Sequence, residues 1–443
     1  MTSVRPLIEA GQYFPDLGAD PSLRRRHLSG IAHGLVGSEI LKIAAEIRAL
    51  QRSGKKICNL TVGDFSSTEF RIPPALEEAV DAALAAGQTN YPPSDGVLDL
   101  RKAVQSFYER ELGLSYPIES VLIAGGSRPL IYATYTALVD PGEKVLYAVP
   151  SWNNNHYAFL SGAEKIEIVV GPDTNFLPTA EAMRPHLAGV RLVCINSPLN
   201  PTGTVFSREQ VRAIAQLLVD ENRRRAEKGE RPVFAMWDQV YWMLTFGDAA
   251  HHTPPELVPE SAAWTIFVDG ISKAFAATGL RVGWAVGPPH VIGPMRDILG
   301  HVGAWAPRPE QVATAEFLGN TPAITAYHEE MIRGLRQRLD LLYEGFESMR
   351  AAGLPVSSFT PQGAIYLTVK FDLVGKRVGA VAIRTNEEIR RLLLEEAGFA
   401  VVPFQAFGLN EETGWMRLSV GAVSPAEVAS GLARVRALLE RAS

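Results

Sequence analysis

The chain has little cysteine and no long uninterrupted apolar segment. Its 443 residues include two cysteines, Cys58 and Cys194, and both stand in apolar runs typical of strands. This usage suits small buried residues in a reducing compartment better than it suits a disulfide framework. No spacing of Cys and His typical of a metal site occurs, and we find neither a membrane-spanning run nor a signal sequence. We expect a cytoplasmic protein without a metal.

The chain also has no large excess of positive or negative residues. The 43 Lys and Arg residues stand against 48 Asp and Glu residues, which gives a formal net charge of -5. Such a balance gives no reason to expect binding to nucleic acid or to an anionic membrane. Apolar residues make up 47% of the chain, enough to fill a large core in one or two domains. Any basic pocket must therefore be local.

Short β-rich runs alternate with helical stretches through the middle of the chain. The runs are 144–149, 165–170, 192–195, 233–237, 265–268 and 282–286. This alternation predicts an α/β fold with a mostly parallel sheet between two layers of helices. A long helical stretch over 309–352, strands at 363–369 and 416–420, and helices at 386–397 and 425–441 predict a smaller α+β domain. We assign 73–307 to the large domain, and 31–72 with 308–443 to the small one.

The first thirty residues have a different character. Pro15, Pro21 and the basic run at 24–27 predict an extended N-terminal arm over residues 1–30. Apolar residues then recur at helical spacing from Ser38 to Arg52, which predicts an amphipathic helix with Ser38 as its cap.

Lys273 lies in S-K-A-F-A-A-T-G-L-R, residues 272–281, shortly after an apolar run. An amine and a guanidinium at this spacing can hold one cofactor at two points, its aldehyde on Lys273 and its phosphate on Arg281. Such a cofactor is pyridoxal phosphate. Lysine reacts in this way only as the free amine, so its site must lower its pKa by desolvation or by nearby positive charge. Surface residues flanking a glycine turn also give this string, so it does not decide the function alone.

Two further segments follow strand-like runs and carry polar groups. Residues 196–203, N-S-P-L-N-P-T-G, form a tight loop at the carboxyl end of a strand, where open α/β sheets bind ligands. Asp238 ends another apolar run, with Tyr241 three residues on, and a buried carboxylate there can keep a pyridine nitrogen protonated. The plainer interpretations are turn chemistry for the first segment and a helix cap for the second.

Another pair of segments suits a phosphate and a flat ring. Gly125 and Gly126 lead from a β-rich stretch into a helical pattern that starts near Ser127 and Arg128, and amides at a helix start bind phosphate. Trp152 follows a strand and can stack on a ring, although a lone tryptophan is more often a core residue.

Together and in this order, the five segments resemble the fold type I pyridoxal-phosphate enzymes, and within them the class I/II aminotransferases related to aspartate aminotransferase. The resemblance extends from about Asn59 to the C-terminus. It implies that Lys273 forms the Schiff base with the cofactor and moves the substrate's α-proton. It implies cofactor contacts at Tyr91, Ser127, Arg128, Trp152, Asn200, Asp238, Tyr241, Ser272 and Arg281. Among these, Asp238 would pair with the pyridine nitrogen, and Asn200 and Tyr241 would donate to the phenolic oxygen.

The resemblance also implies a substrate site and a homodimer. Arg417, in G-W-M-R-L-S, resembles the arginine that binds the substrate α-carboxylate, a role that suits a bidentate guanidinium. Gly63 and Asn200 belong to the same site, Gly63 in a segment that leads into it. Tyr91 resembles the tyrosine that reaches the phosphate in the neighbouring subunit, so active sites would be shared between two copies.

The sequence departs from the family at two places. Gly270 stands three residues before Lys273, where many relatives carry a phosphate-binding serine, so this contact is missing or shifted to Ser272. The stretch 33–39 aligns loosely with a region where some aspartate-specific relatives have a lysine for a distal carboxylate. Val36 is apolar, so that contact is absent there, and Arg308 is the other candidate source of it.

The reaction that the resemblance implies is ping-pong amino transfer between an L-amino acid and a 2-oxo acid, by default aspartate and 2-oxoglutarate. An aromatic or prephenate-type acceptor stays open, because Trp305, Tyr366 and Phe407 can offer apolar walls. So does a lyase or decarboxylase on the same fold, because such enzymes would share every cofactor residue.

Overall fold

The computed structural model describes residues 8–16, 21–35, 37 and 39–443. Val36 and Ser38 lie outside the described residues, so the interpretation of Val36 and the capping role of Ser38 stay predictions. The chain forms two compact units, Met1–Gly37 and Ser38–Ser443.

The first unit contains short helices. They are a 3-10 helix at Ala10–Tyr13, α1 at Pro21–His27 and α2 at Gly30–Gly34. The prediction of an extended arm is wrong over α1, because proline is well suited to the first position of a helix, where no N–H partner is needed. The second helix follows Ser29, whose side chain accepts a hydrogen bond of 3.2 Å from the Ala32 amide and so caps it.

The second unit alternates strands and helices. Its strands are β1 Cys58–Asn59, β2 Val121–Ala124, β3 Lys144–Val149, β4 Glu164–Val169, β5 Val190–Asn196, β6 Phe234–Asp238, β7 Thr265–Gly270, β8 Gly283–Val286, β9 Val356–Ser358, β10 Tyr366–Phe371, β11 Arg377–Val378, β12 Val381–Ala382, β13 Phe399–Ala400, β14 Val402–Pro403 and β15 Trp415–Ser419.

Its α-helices are α3 Glu39–Arg52, α4 Pro74–Ala85, α5 Leu98–Leu112, α6 Ser127–Leu138, α7 Asn154–Ser161, α8 Ala180–Met183, α9 Arg208–Glu227, α10 Pro254–Leu257, α11 Ile271–Ala274, α12 Pro289–Val302, α13 Arg308–Gly319, α14 Thr321–Ala351, α15 Asn386–Ala397 and α16 Pro425–Leu439. Short 3-10 helices lie at Ile118–Ser120, Pro172–Thr174, Arg184–His186, Pro259–Trp264 and Phe404–Phe407. In the part of the chain that the structure describes, no helix is long and apolar enough to cross a membrane.

A seven-stranded sheet forms the centre of this unit, with the strand order β2-β8-β7-β6-β5-β3-β4. Strand β8 is antiparallel to both of its neighbours, and the other six strands run in one direction. Successive residues of β5 and β6 enter two different hydrophobic cores, one on each face of the sheet. Strands that are buried on both faces appear in the sequence as continuous apolar runs, and these runs allowed the strands to be predicted. The predicted three-layer α/β fold is confirmed.

A second, antiparallel sheet has the order β14-β15-β10-β9 and packs a third core with α14 and α16. The prediction of one long helix over 309–352 is wrong, because the chain breaks at Asn320 into α13 and α14. Asn320 accepts a hydrogen bond of 3.2 Å from the Ala323 amide, and Pro322 lacks an N–H group to continue the first helix. The division into a large domain over 73–307 and a small domain over 31–72 and 308–443 remains our proposal.

The carboxyl ends of the parallel strands bring several loops to one edge of the central sheet. Asn196 at the end of β5 pairs in register with Asp238 at the end of β6, and Asp238 pairs with Val268 of β7. Because β8 runs the other way, its first residue, Gly283, lies at this edge opposite Gly270. Open α/β sheets bind their ligands at this edge.

Candidate active site

Lys273 lies in α11, directly after β7. Its Nζ atom donates a hydrogen bond of 2.6 Å to the Gly63 carbonyl and lies 6.0 Å from the ring centre of Tyr241. Burial lowers the pKa of Lys273 from its ordinary 10.5 to about 8, and the Asp64 carboxylate opposes this change. Three arginines lower the pKa further: Arg417, Arg128 and Arg281. The amine is therefore far more readily deprotonated than a surface lysine, as a nucleophilic lysine requires.

Asp238 ends β6 as a buried carboxyl group. Burial raises its pKa from 3.8 to about 7, while the Val240 amide, which donates to its Oδ1 atom at 3.3 Å, and the Lys273 charge lower it. Asn196 donates to the Asp238 carbonyl at 2.9 Å and accepts from the Asn200 amide at 2.8 Å. Asp238 and the loop with Asn200 are thus fixed together at the sheet edge.

Arg417 is buried on β15, with 1% of its surface exposed. Its Nη1 atom donates to Asn200 Oδ1 at 3.3 Å, and Nη2 donates to the Thr61 carbonyl at 2.6 Å. The rings of Tyr366 and Phe407 lie 4.8 and 4.9 Å from the guanidinium carbon. The Nε atom is buried and finds no hydrogen-bond partner among the described residues. A buried cation with an unpaired N–H group is costly, so this arrangement suits an anionic ligand.

Two tyrosine hydroxyls meet beside the lysine. The hydroxyl oxygens of Tyr241 and Tyr366 are 2.6 Å apart, and both side chains are buried. Burial raises the pKa of Tyr241 well above its ordinary value, so the phenol is neutral and can donate a hydrogen bond. A Cβ atom at Gly63 would stand 3.0 Å from the Tyr366 hydroxyl. The absence of a side chain at residue 63 therefore leaves room for this pair.

The start of α6 forms a positively charged cradle. Gly126 precedes the helix with a φ of 92°, and a Cβ atom there would collide with the guanidinium of Arg281. Arg281 donates to the Gly125 carbonyl at 2.8 Å and to the Thr278 carbonyl at 2.7 Å. Ser127 is half-buried at the first position of the helix. Amides at a helix start together with a guanidinium form an anion site.

Arg128 and Trp152 lie together, with the guanidinium carbon of Arg128 4.8 Å from the indole centre. Ser272 is buried beside Lys273 in α11. The structure gives a reason for Gly270: a Cβ atom there would stand 2.7 Å from the Val282 carbonyl oxygen, so no serine fits.

Tyr91 and Arg308 line one surface cleft, formed by residues 89–92 and 305–310. The Tyr91 side chain is 82% exposed, and its ring stands edge-on to Trp305 with 5.4 Å between centres. Arg308 donates from Nε to the Gln88 side chain at 2.9 Å.

The sequence singled out neither Thr61 nor Asp64 as a site residue, and it offered Tyr366 only as an apolar wall for an aromatic acceptor. Tyr366 could have been found by pairing β10 with β15, since Thr368 stands opposite Arg417 and Tyr366 shares the face of Thr368. Asp64 accepts a hydrogen bond of 2.6 Å from Thr278, a contact between distant segments that no spacing rule reveals.

A sequence model of the family described as aminotransferase class I and II matches residues 55–435. The chain belongs to the class I and II aminotransferases. An aspartate aminotransferase of Streptomyces avermitilis is 30% identical over 431 residues, which cover 96% of this chain and 99% of that protein. An aspartate/prephenate aminotransferase of Thermus thermophilus is 32% identical over 388 residues, which cover 86% of this chain and 93% of that protein. A crystal structure of the aspartate aminotransferase from Rhizobium meliloti superimposes with a TM-score of 0.86 at 28% identity and covers 94% of this chain and 100% of that chain.

The predictions of a transaminase and of pyridoxal phosphate as its cofactor are confirmed by this membership. The buried groups fit the cofactor. Lys273 offers an amine with a lowered pKa, Asp238 a carboxyl group at a strand end, and the start of α6 with Arg281 an anion site.

Proposed function

We propose that this aminotransferase transfers the amino group of aspartate to 2-oxoglutarate by a ping-pong mechanism. The burial of Arg417, whose Nε atom has no hydrogen-bond partner among the described residues, is the observation that supports an amino acid and a 2-oxo acid as substrates. A carboxylate placed against this guanidinium would satisfy it. The choice of aspartate is supported by the relatives, several of which are named aspartate aminotransferases.

Lys273 holds the cofactor and moves the proton in this proposal. Pyridoxal phosphate, when bound, supplies an aldehyde that reacts with amines and a ring that accepts electrons from the substrate's α-carbon. Once the substrate amine has displaced it, the Lys273 Nζ atom takes the proton from the α-carbon of the amino donor in one half-reaction. In the other half-reaction it gives a proton to the α-carbon that comes from the 2-oxo acid. A pKa of about 8 suits both directions, because proton transfer is most efficient with a group that titrates near the working pH.

Arg417 and Asn200 orient the substrate. The guanidinium binds the α-carboxylate through two N–H groups, and Asn200, which already accepts from Arg417 Nη1, fixes the plane of the guanidinium. Gly63, whose missing side chain leaves room for the Tyr366 hydroxyl and the Arg417 guanidinium, is part of the backbone of the substrate site and offers its carbonyl to the Lys273 amine. The α-carbon is thereby held beside the base, which lowers the entropic part of the barrier.

The remaining groups hold the cofactor. Asp238 shares a proton with the pyridine nitrogen, and Tyr241 and Asn200 donate to the phenolic oxygen. Trp152 stacks on the ring. The phosphate contacts are Ser127, Arg128, Ser272 and Arg281. The 2.8 Å bond from Arg281 to the Gly125 carbonyl supports the phosphate assignment, because it directs the guanidinium to the start of α6.

Two copies of the chain form the active unit, and Tyr91 reaches the phosphate of the partner's site. The 82% exposure of Tyr91 supports this proposal, as does its position on a surface cleft of about 680 Å³ between residues 89–92 and 305–310. We also place the protein in the cytoplasm. Burial raises the pKa of Cys58 and of Cys194 to about 12, which keeps both as inert thiols suited to a reducing compartment.

An aromatic or prephenate-type substrate is the second candidate. It is supported by the rings of Tyr366 and Phe407 against the Arg417 guanidinium, and by the aspartate/prephenate aminotransferase of Thermus thermophilus among the relatives.

The test is a single-turnover screen of the purified holoenzyme. Loss of the visible absorbance of the bound cofactor is followed after mixing with L-aspartate, L-glutamate, L-alanine, L-phenylalanine or L-tyrosine, with D-aspartate as the control. The proposal predicts fast responses to L-aspartate and L-glutamate, and their reversal by 2-oxoglutarate. Fast responses to the aromatic amino acids without one to L-aspartate would favour the second candidate. Release of ammonia and pyruvate in place of amino transfer would indicate a lyase.

A further inference from the structure

Six buried or half-buried polar side chains form a hydrogen-bonded group beneath the turn that carries Lys273. We name it the Asp269 network, and its members are Asp269, Tyr108, Gln239, Trp242, His251 and Trp284. Asp269 lies on β7, four residues before Lys273, and is 1% exposed. Its Oδ1 atom accepts from the Gly270 amide at 2.7 Å. Its Oδ2 atom accepts from Trp242 Nε1 at 2.9 Å and from the Tyr108 hydroxyl at 3.2 Å.

The hydrogen bonds of the network run in one direction. The Tyr108 hydroxyl accepts from Gln239 Nε2 at 3.2 Å and from Trp284 Nε1 at 3.3 Å, so its own proton points to Asp269. Burial lowers the pKa of His251 to about 3, so the ring is neutral, and its Nε2–H donates to Gln239 Oε1 at 3.2 Å. Every donor thus leads towards Asp269, an arrangement that favours the ionised carboxylate because this group only accepts. Burial acts against it and raises the pKa of Asp269 from its ordinary 3.8 to about 7, while the hydrogen bonds from the Gly270 amide, Trp242 and Tyr108 lower it.

The network joins the two segments that hold the cofactor in the proposed function. Gln239 directly follows Asp238, and Trp242 directly follows Tyr241. Asp269 and Gly270 lead directly into α11 with Lys273. The carboxylate therefore links the β6 loop to the β7 turn.

We propose that Asp269 is a positioning residue that fixes the turn of Lys273 against the loop of Asp238 and Tyr241. The proposal rests on the proposed function, since it takes Lys273, Asp238 and Tyr241 as the cofactor residues. Asparagine would not replace Asp269. In one orientation of the asparagine its NH₂ group faces the N–H of Trp242, and in the other it faces the N–H of Gly270. In both cases two hydrogen-bond donors face each other, and no hydrogen bond forms between them.

The chain offers a matched pair of tyrosines for the test. Tyr108 and Tyr116 both stand edge-on to the ring of Phe267, with centres 6.0 and 6.5 Å away. The Tyr108 hydroxyl belongs to the network, whereas the buried Tyr116 hydroxyl has no hydrogen-bond partner among the described residues. Tyr108→Phe and Tyr116→Phe therefore each remove one phenolic hydroxyl group, and only the first change removes a hydrogen bond to Asp269.

The experiment compares holoenzymes of wild type, Asp269→Asn, Tyr108→Phe, Trp242→Phe and Tyr116→Phe. Four quantities are measured: the pH midpoint of the visible absorbance of bound pyridoxal phosphate, the kcat, the KM for the amino donor, and the Tm of the apoenzyme. Trp242→Phe removes a single donor, so it keeps the test available if Asp269→Asn does not fold.

The proposal predicts that the three network variants raise the absorbance midpoint by about half a pH unit or more, because Tyr241 is displaced from the phenolic oxygen. It predicts a loss of kcat of about tenfold or more through misplacement of Lys273. The KM should change much less, because Arg417 lies on β15 outside the network, and Tyr116→Phe should match wild type. Network variants with a lower apoenzyme Tm but wild-type midpoint and kcat would show a merely structural role and overturn the proposal. If Lys273→Ala kept the wild-type absorbance, the proposed function would fail and this proposal with it.

Discussion

The Lys273 amine and the Gly63 carbonyl are joined by a hydrogen bond of 2.6 Å, although 210 positions separate them in the sequence. Gly63 belongs to the loop after β1, and Lys273 follows β7 of the central sheet. The contact therefore brings the reactive amine to the loop whose Thr61 carbonyl binds Arg417. The base and the proposed carboxylate site share one short stretch of backbone, residues 61–63.

Arg417→Lys should lower kcat/KM about a hundredfold or more, the size expected for loss of a buried charged contact of about 3 kcal/mol. The lysine lacks the planar fork and leaves Asn200 or the Thr61 carbonyl unpaired. Steady-state kinetics with both substrates measure the effect, which should fall mainly on KM.

Arg338→Lys is the matched control for this change. Arg338 is also a buried arginine, but it binds the Gly334 and Val423 carbonyls and the Glu69 carboxylate. Its substitution should lower the Tm and keep kcat/KM within about twofold, as distant sites act independently. Unchanged KM values in Arg417→Lys would remove Arg417 from the substrate site.

Gly63→Ala should lower kcat/KM about tenfold, because the new Cβ atom meets the Tyr366 hydroxyl at 3.0 Å and a small displacement in an active site is costly. In a Tyr366→Phe background this hydroxyl is absent, so the same change should cost less. A double-mutant cycle measures the difference, which we expect to be about 1 kcal/mol. Gly171→Ala, where nothing lies within 4 Å, is the control. Strict additivity of the two changes would show that Gly63 does not act through Tyr366.

Arg281→Gln should weaken cofactor binding about tenfold to a hundredfold, as expected when a charged hydrogen-bonding partner is lost. Inorganic phosphate should compete with the cofactor for the wild-type apoenzyme and much less for this variant. Fluorescence titration of the apoenzyme gives both constants. Arg296→Gln, at an exposed arginine beside Asp297, serves as the control. Equal phosphate competition in Arg281→Gln and wild type would remove Arg281 from the phosphate site.

The lowered pKa of Lys273 predicts a pH-dependent stability of the apoenzyme. Below pH 8 the amine is charged in the folded and the unfolded chain, and burying that charge costs stability. Between pH 8 and the ordinary pKa of 10.5 the folded state loses its proton first, so stability rises with pH relative to Lys273→Met. Over the whole range between the two pKa values, the gain in the free energy of unfolding relative to Lys273→Met amounts to roughly 3 kcal/mol, at 1.36 kcal/mol for each pKa unit. Urea unfolding of both apoenzymes from pH 7 to 10 measures most of this rise, and parallel curves would mean that the lysine is not desolvated.

The sequence revealed the fold and most of the buried polar groups through one physical regularity. Strands buried on both faces are continuous apolar runs, and the residues at or shortly after their carboxyl ends, such as Asn200, Asp238 and Lys273, meet at one sheet edge. The α1 helix and the break at Asn320 were missed because proline and asparagine fit both loops and helix starts.

Contacts between distant segments could not be read from the sequence. The pair of Tyr241 and Tyr366 depends on how the second sheet meets the first. The members of the Asp269 network extend from residue 108 to residue 284 and carry no common spacing. Polar residues inside apolar runs, as Asp269 is, were the one available sign, since a buried carboxylate needs donors.

The central claim is that Lys273 holds the cofactor, and chemical trapping tests it most directly. The holoenzyme is reduced with borohydride, digested and examined by mass spectrometry, with Lys273→Ala treated in parallel. Our account predicts one pyridoxyl-modified peptide, containing Lys273, and no modified peptide from the variant. Modification of a different lysine in the wild type, or the same visible absorbance and turnover in Lys273→Ala, would contradict it.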